Sequence, residues 1–167
     1  MEKRDLYDKD RNLTGKTIYK GDPVPEGNYI NVVLVYIQNS DGKFLIQKRS
    51  KRKNGLYATT GGHPKSGEDS VQGIITEVKE EIGVDIKAEN LVRYHGGRSD
   101  TEQVFFDDYY IKMDIENIDN LELQKEEVES VHWFSADEVK ESMRNGTFFI
   151  DHYEEFEILL DWLNKSK

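Results

Sequence analysis

The segment Gly61–Val84, GGHPKSGEDSVQGIITEVKEEIGV, constrains this chain more than any other. A glycine-rich turn with one proline leads into about fifteen residues of helical periodicity, closed by Gly83 as a natural C-terminal glycine. Glu77, Glu80 and Glu81 stand at i, i+3 and i+4, which places them within an arc of roughly 100° on one helix. Like charges at that spacing destabilise a helix. Val71, Ile74, Ile75, Val78 and Ile82 form an apolar stripe beside the arc, so the helix packs inward and holds its carboxylates at the edge of the contact. Water solvates such a cluster, or a cation sits in it.

The elements around this helix alternate in type. RDLYD and LTGKTIY flank the turn-rich DKDRN and predict a small hairpin over residues 4–20. GDPVPEG is a loop. Tyr29–Gln38 reads as a central strand covered on both faces, and Asn39–Gly42 as a tight turn returning Lys43–Lys48 as its hairpin partner. Short strands are expected at Leu56–Thr60 and Leu91–His95, a longer one at Gln103–Met113, and a half-buried one at Val128–Phe134. Asp114–Glu127 is acidic and irregular. Ser135 opens a helix with a capping box ending near Gly146, and Asp151 is placed to cap the last helix. No internal repeat or linker interrupts the order. It predicts one α+β domain over residues 1–167, with residues 1–27 as hairpin and loop, and helices packed on a mainly mixed or antiparallel sheet.

Composition narrows the function classes. The chain has 167 residues, a formal net charge of −10 and no cysteine. Disulfides, thiolate metal sites and thiol nucleophiles are therefore excluded, and no nucleic-acid surface is expected of so acidic a chain. No apolar run suits a membrane span and the N-terminus lacks a signal-peptide stretch, so a cytoplasmic protein without a membrane partner is expected. The basic run Lys48–Lys53 reads as a solvated loop or as a holder of a small phosphorylated ligand.

Taken as one unit, Gly62-x5-Glu68-x7-Thr76-Glu77-Val78-x-Glu80-Glu81-x-Gly83-Val84 resembles the Nudix box, G-x5-E-x7-R-E-U-x-E-E-x-G-U with U aliphatic. All fixed positions over residues 62–84 agree except Thr76, which replaces the arginine. FLIQKR, the GG turn and VESVHWFSADEV are similar to that superfamily too. The resemblance implies the Nudix fold, a mixed β-sheet sandwiched between helices. It also implies a Mg²⁺ site, with Mn²⁺ as a substitute, in which Glu80 and Glu81 are the chief ligands, Glu77 is a ligand or the base, and the Gly61 carbonyl is a further ligand. Oxygen donors of this kind suit a hard divalent cation that shares substrate phosphates. In the family Glu68 orients the catalytic helix, often through the arginine missing here. Lys65, Lys79 or a backbone N–H is then its expected partner.

The implied reaction is Mg²⁺-dependent hydrolysis of the phosphoanhydride in a nucleoside diphosphate linked to another moiety, a small-molecule diphosphate substrate. A homodimer is an assembly that many relatives form. Glu126 and Glu127, ahead of VESVHWF, are candidates for the base or an extra ligand, with Glu102 as another option. His63 is a candidate contact for metal or phosphate, and Arg49 for phosphate, with pairing to a surface acid as its alternative. Asp107-Asp108, inside an aromatic strand, marks a bulge or a face of the substrate pocket, whereas His95, His132 and His152 show no ligand spacing. Type I isopentenyl-diphosphate isomerases are similar in the hairpin and in GHPxxGE at Gly62–Glu68. The cysteine of that motif is Gly61 here, which disfavours isomerase chemistry. A non-catalytic nucleotide-binding sensor of the same fold is the third reading, with Thr76 as its sign.

Overall fold

The computed structural model describes residues 1–166. An N-terminal hairpin of β1 (Lys3–Tyr7) and β2 (Leu13–Tyr19) forms its own two-stranded sheet. A larger mixed sheet contains β3 (Ile30–Gln38), β4 (Phe44–Arg49), β5 (Tyr57–Ala58), β6 (Thr60–Gly62), β7 (Val92–Ser99), β8 (Val104–Lys112) and β9 (Val128–Phe134). Helix α1 (Ser70–Ile82) crosses one face, while α2 (Ala136–Arg144) and α3 (Tyr153–Lys165) cover the other. This is the α+β sandwich expected of the sequence.

β3 is buried along nearly its whole length, as its β-branched and aromatic run requires. It pairs in parallel with β8 from Ile30–Val104 to Gln38–Lys112, and β7 adds antiparallel to β8. Its other edge departs from the sequence expectation. β4 pairs with β3 only at Gln38–Phe44, next to the turn. Beyond that point the two strands splay, and residues 57–62 enter the gap, β5 bonding β4 and β6 bonding β3 at Val33–Val35. β4 finds its long antiparallel partner in β9 instead. Backbone groups freed by the splay are thus re-paired by a third segment, as burial demands.

The alternation of β3 divides the core. Val33, Val35 and Ile37 face α1 with Ile74, Val78 and Ile82, so the apolar stripe of the helix is buried as its periodicity predicts. Leu34 and Tyr36 face α3 with Phe44, Phe156 and Leu159. Helix α1 begins at Asp69 with a capping box to Gln72 and ends at Gly83, whose φ of 72° is left-handed. The capping box of Ser135 with Glu138 is present on α2. Asp151, expected to cap α3, lies exposed in a short 3-10 turn, Ile150–His152, and α3 has no side-chain cap. Two further bounds differ: β7 continues past His95 to Ser99, and a 3-10 turn, Ile118–Asn120, sits in the acidic segment.

Asp107 ties three parts of the chain together. It accepts from Arg93 Nε at 2.7 Å and from Arg11 and Ser70, so the hairpin turn, β7 and the start of α1 converge on one carboxylate that is almost fully buried. Burial alone would raise its pKa, but these donors outweigh it and hold the group below the usual carboxylate range. The Arg11 and Arg93 side chains keep partial solvent contact, 31% and 50% exposed, and can rehydrate if the carboxylate is lost. Asp107→Asn should therefore lower unfolding free energy by about 1–3 kcal/mol, measurable by denaturant titration.

Candidate active site

The splay of β3 and β4 opens a cleft of about 880 Å³ against the C-terminal half of α1. Gly61 and Gly62, held on β6 against Leu34 and Val33, form part of its floor together with Glu77, Glu80 and Glu81. Position 61 admits no side chain, because a Cβ there would lie 2.6 Å from the Val33 carbonyl oxygen, and at position 62 a side chain would displace Glu77. A Cβ there would lie 2.6 Å from Glu77 Cδ, so the glycine lets the carboxylate lie flat on the strand.

The three glutamates differ in setting. Glu81 is 7% exposed and its nearest donor is Gln47 Nε2 at 3.4 Å. Burial, and then the neighbouring Glu77 carboxylate, push its pKa up to about 9. Glu77 is half-buried and is also raised, chiefly by burial. Each carboxylate disfavours ionisation of the other. Glu80 is exposed and takes Lys65 Nζ on both oxygens, at 3.0 and 3.1 Å. Among the described residues no group of three or more histidine, cysteine or acidic side chains is already gathered for a metal ion. The donor set nonetheless fits a hard divalent cation: among the described residues buried Glu81 and half-buried Glu77 have no ion-pair partner, and Glu80 on the same arc is held only by the Lys65 ammonium.

Glu68 resolves the question raised by Thr76. It accepts from the Lys65 backbone N–H at 2.7 Å and from Thr76 Oγ1 at 2.6 Å. The residue replacing the arginine is itself the partner, and joins the loop to the helix through a hydroxyl. The side chains of Lys65 and Lys79, proposed as partners, go to Glu80 and Asp85 instead. Pairing through the Lys65 backbone agrees with expectation.

The loop candidates separate. Glu127 lines the cleft and pairs with Lys53 Nζ at 2.8 Å, whereas Glu126 is absent from the lining and contributes its carbonyl to Ser50 Oγ. Glu102 lines the cleft as well. Arg49 also faces the cleft, and stacks over Phe149 at 4.5 Å rather than pairing with a surface acid. His63 lines the cleft, its pKa lowered to about 4 by burial and then by Arg4, so it is a neutral imidazole. The basic run is not simply solvated: Lys48 and Lys53 pair with Glu129 and Glu127, while Lys51 and Arg52 are exposed.

The hairpin supplies residues that sequence reasoning missed. Glu2, Arg4 and Lys20 line the cleft, and Asp5 accepts from Ser66 Oγ at 2.6 Å and from Gly67 N at 2.9 Å. The hairpin thereby braces the loop that precedes α1. No spacing signal links residues so far from the glutamates. Of the acidic pair in β8, Asp107 points to the ion network above and Asp108 lines the cleft, bonded to His95 Nδ1 at 2.9 Å. The bulge beside them lies in β7, between Arg93 and His95.

The chain is similar to known proteins over most of its length. The family model described as NUDIX domain matches residues 28–152. An uncharacterised Nudix hydrolase of Listeria monocytogenes is 35% identical over 161 residues, covering 92% of this chain and 90% of that protein. A crystal structure from Deinococcus radiodurans superposes with a TM-score of 0.71 at 21% identity, over 88% of this chain and 91% of that one. A bifunctional NMN adenylyltransferase/ADP-ribose pyrophosphatase from Francisella tularensis, solved with AMP and a Mn ion, gives 0.60 at 20% identity, over 85% of this chain and 43% of that one.

Two outcomes follow from the carboxylates. Between the unfolded pKa near 4.5 and the folded value near 9, the native state binds more protons at Glu81 than the unfolded chain does. Metal-free stability must then fall as pH rises through that window. The melting temperature without divalent cations should decline from pH 5 to pH 8, and Glu81→Gln should flatten the decline. Thr76→Val, which removes the hydroxyl bonded to Glu68, should lower the unfolding free energy by about 1 kcal/mol, read by thermal or urea denaturation.

Proposed function

The chain belongs to the NUDIX-domain family, and on that premise we propose that it is a Mg²⁺-dependent hydrolase cleaving the phosphoanhydride of a nucleoside diphosphate linked to another moiety. The observation that carries this reading is the buried Glu77–Glu81 pair, raised in pKa and facing a cleft that also holds Glu80, Arg49 and Lys53. Two adjacent carboxylates deprived of water favour any ligand that brings positive charge.

Glu77, Glu80 and Glu81 would hold the cation, with the Gly61 carbonyl as a further donor on the same floor. Bound Mg²⁺, or Mn²⁺ in its place, would neutralise diphosphate charge and acidify a water for attack on phosphorus. The chain's own part is to place and hold the reactants. Lys20 and Arg49 offer positive charge to phosphate oxygens along the cleft, and Arg4 and Lys53 line it paired to Glu2 and Glu127. Glu68, fixed by Thr76 and the Lys65 N–H, sets the loop that carries Gly61 and Gly62 against the helix. Glu77 or Glu127 would accept the proton of the attacking water, both carboxylates lining the cleft.

One feature favours a second reading. The Lys65–Glu80 ion pair, with both Glu80 oxygens engaged, suits a nucleotide-binding sensor that never completes a metal site. A phosphate-release screen over nucleoside diphosphate derivatives, with and without Mg²⁺ or Mn²⁺, separates the two. The hydrolase reading expects metal-dependent release that Glu81→Gln reduces by at least about a hundredfold without unfolding the chain. Full activity of that variant would sink the metal assignment. Ligand-induced thermal stabilisation with no release from any substrate would establish the sensor.

A further inference from the structure

The turn between the glycine floor and α1 is held from outside the segment that the family model matches. That match begins at residue 28, whereas β1 lies at Lys3–Tyr7. Residues 65–68 form a tight turn, with the Glu68 N–H donating to the Lys65 carbonyl at 2.9 Å and Gly67 left-handed at a φ of 90°. Its two middle residues turn their donors to β1. The Ser66 N–H goes to the Lys3 carbonyl at 2.8 Å, Ser66 Oγ to one Asp5 oxygen at 2.6 Å, and the Gly67 N–H to the other at 2.9 Å. A carboxylate that takes both donors at once fixes the distance and the orientation of the turn.

The outer residues of the same turn reach α1. Glu68 accepts from Thr76 Oγ1 at 2.6 Å, and Thr76 directly precedes Glu77 on the helix. Lys65 meets Glu80 on a flexible stem that adapts to a shift of the turn, whereas the short Glu68–Thr76 bond does not. Pro64 lies so close over the helix that a Cβ on Gly73 would come 2.6 Å from its Cγ. The hairpin is itself anchored. Leu6 is buried with Ile30 and Val104, Tyr7 and Tyr29 exchange backbone bonds at 2.9 Å, and Arg11 donates at 2.9 Å to Ser70 Oγ, on the first residue of α1. A continuous path of close contacts therefore runs from β1 through the turn to the helix that carries the glutamates.

We propose that Asp5 is a positioning residue of the site, setting Glu68, and through it the α1 glutamates, against the Gly61–Gly62 floor. The N-terminal hairpin is then part of the machinery rather than an appendage. The inference rests on the metal-dependent hydrolase reading, because a site that holds a cation and phosphates in register is sensitive to the place of this turn. Asp5 does not line the cleft, so it acts through position and not through its charge. Asparagine can take its place: the amide oxygen accepts from the Gly67 N–H while the amide nitrogen donates to Ser66 Oγ. Alanine cannot.

The test compares full-length variants by calorimetric binding of Mn²⁺ alone, and by kcat and KM on a cleaved diphosphate. Asp5→Ala should weaken Mn²⁺ binding and lower kcat, each by at least about tenfold, at temperatures where it is fully folded. Asp5→Asn should stay within about twofold of the unaltered chain in both. Exposed Asp10→Ala, in the turn of the same hairpin, should change neither. Asp5→Ala combined with Thr76→Val should be little worse than the more damaging of the two alone, because both act on Glu68. Unchanged binding and turnover in folded Asp5→Ala, a loss in Asp5→Asn equal to that in alanine, or losses that multiply in the double variant would overturn the proposal. Should Asp5→Ala fail to fold, Ser66→Ala breaks the junction from the loop side, and wild-type Mn²⁺ affinity and kcat in it would overturn the proposal equally. An unaltered chain that binds Mn²⁺ but cleaves no diphosphate would sink the hydrolase reading and leave the Mn²⁺ affinities to decide the positioning. No Mn²⁺ binding at all would remove both.

Discussion

The divergence of β3 and β4 is the constraint from which the rest of the structure follows. Two strands joined by a tight turn ordinarily stay paired, but here they separate after Gln38–Phe44 and admit residues 57–62 between them. Each freed backbone edge finds a new partner, so the opening is stabilised by hydrogen bonds rather than strained. Thr59 and Thr60 secure the inserted segment through their hydroxyls to the Val35 carbonyl and to Gln47. Gly61 and Gly62 emerge from this wedge beside α1, where the Val33 carbonyl leaves no room for a side chain at position 61 and Glu77 occupies the space over position 62. The cleft, its floor and the approach of the helix therefore share one cause.

Charge is distributed along that cleft in a way that suits a polyanion bridged by a cation. Glu81 is buried and Glu77 half-buried, a setting that disfavours their ionisation in the free protein and would favour a divalent ion. Arg4, Lys20, Arg49 and Lys53 come from the hairpin, β4 and the basic loop, and face the same space.

Much of this was legible from residue order. The helix bounds Ser70–Ile82, the cap at Gly83, the strand Val128–Phe134 and the capping box of Ser135 follow from local rules that act within a few residues. The box glutamates were legible because a helix fixes their relative positions without help from the rest of the chain. The pairing of β4 was not, because a tight turn signals a hairpin and carries no information about a competitor 15 residues further on. The role of Thr76 was similarly hidden. Its hydroxyl works only because the loop returns Glu68 to within 2.6 Å of it. Arg4, Lys20 and Asp5 belong to the site through the docking of a hairpin whose sequence says nothing of where it docks.

By itself the sequence determined that one helix carries three carboxylates on a single arc, that a glycine turn precedes it, and that cysteine chemistry is excluded. Those facts are local or compositional, and they identify the family. The tertiary structure decided that Glu81 is buried beside Glu77 while Glu80 is held by Lys65, that Glu127 and not Glu126 reaches the cleft, and that Asp107 and Asp108 serve opposite faces of one strand. Solvent access and long-range pairing set those outcomes, and both are properties of the packed chain.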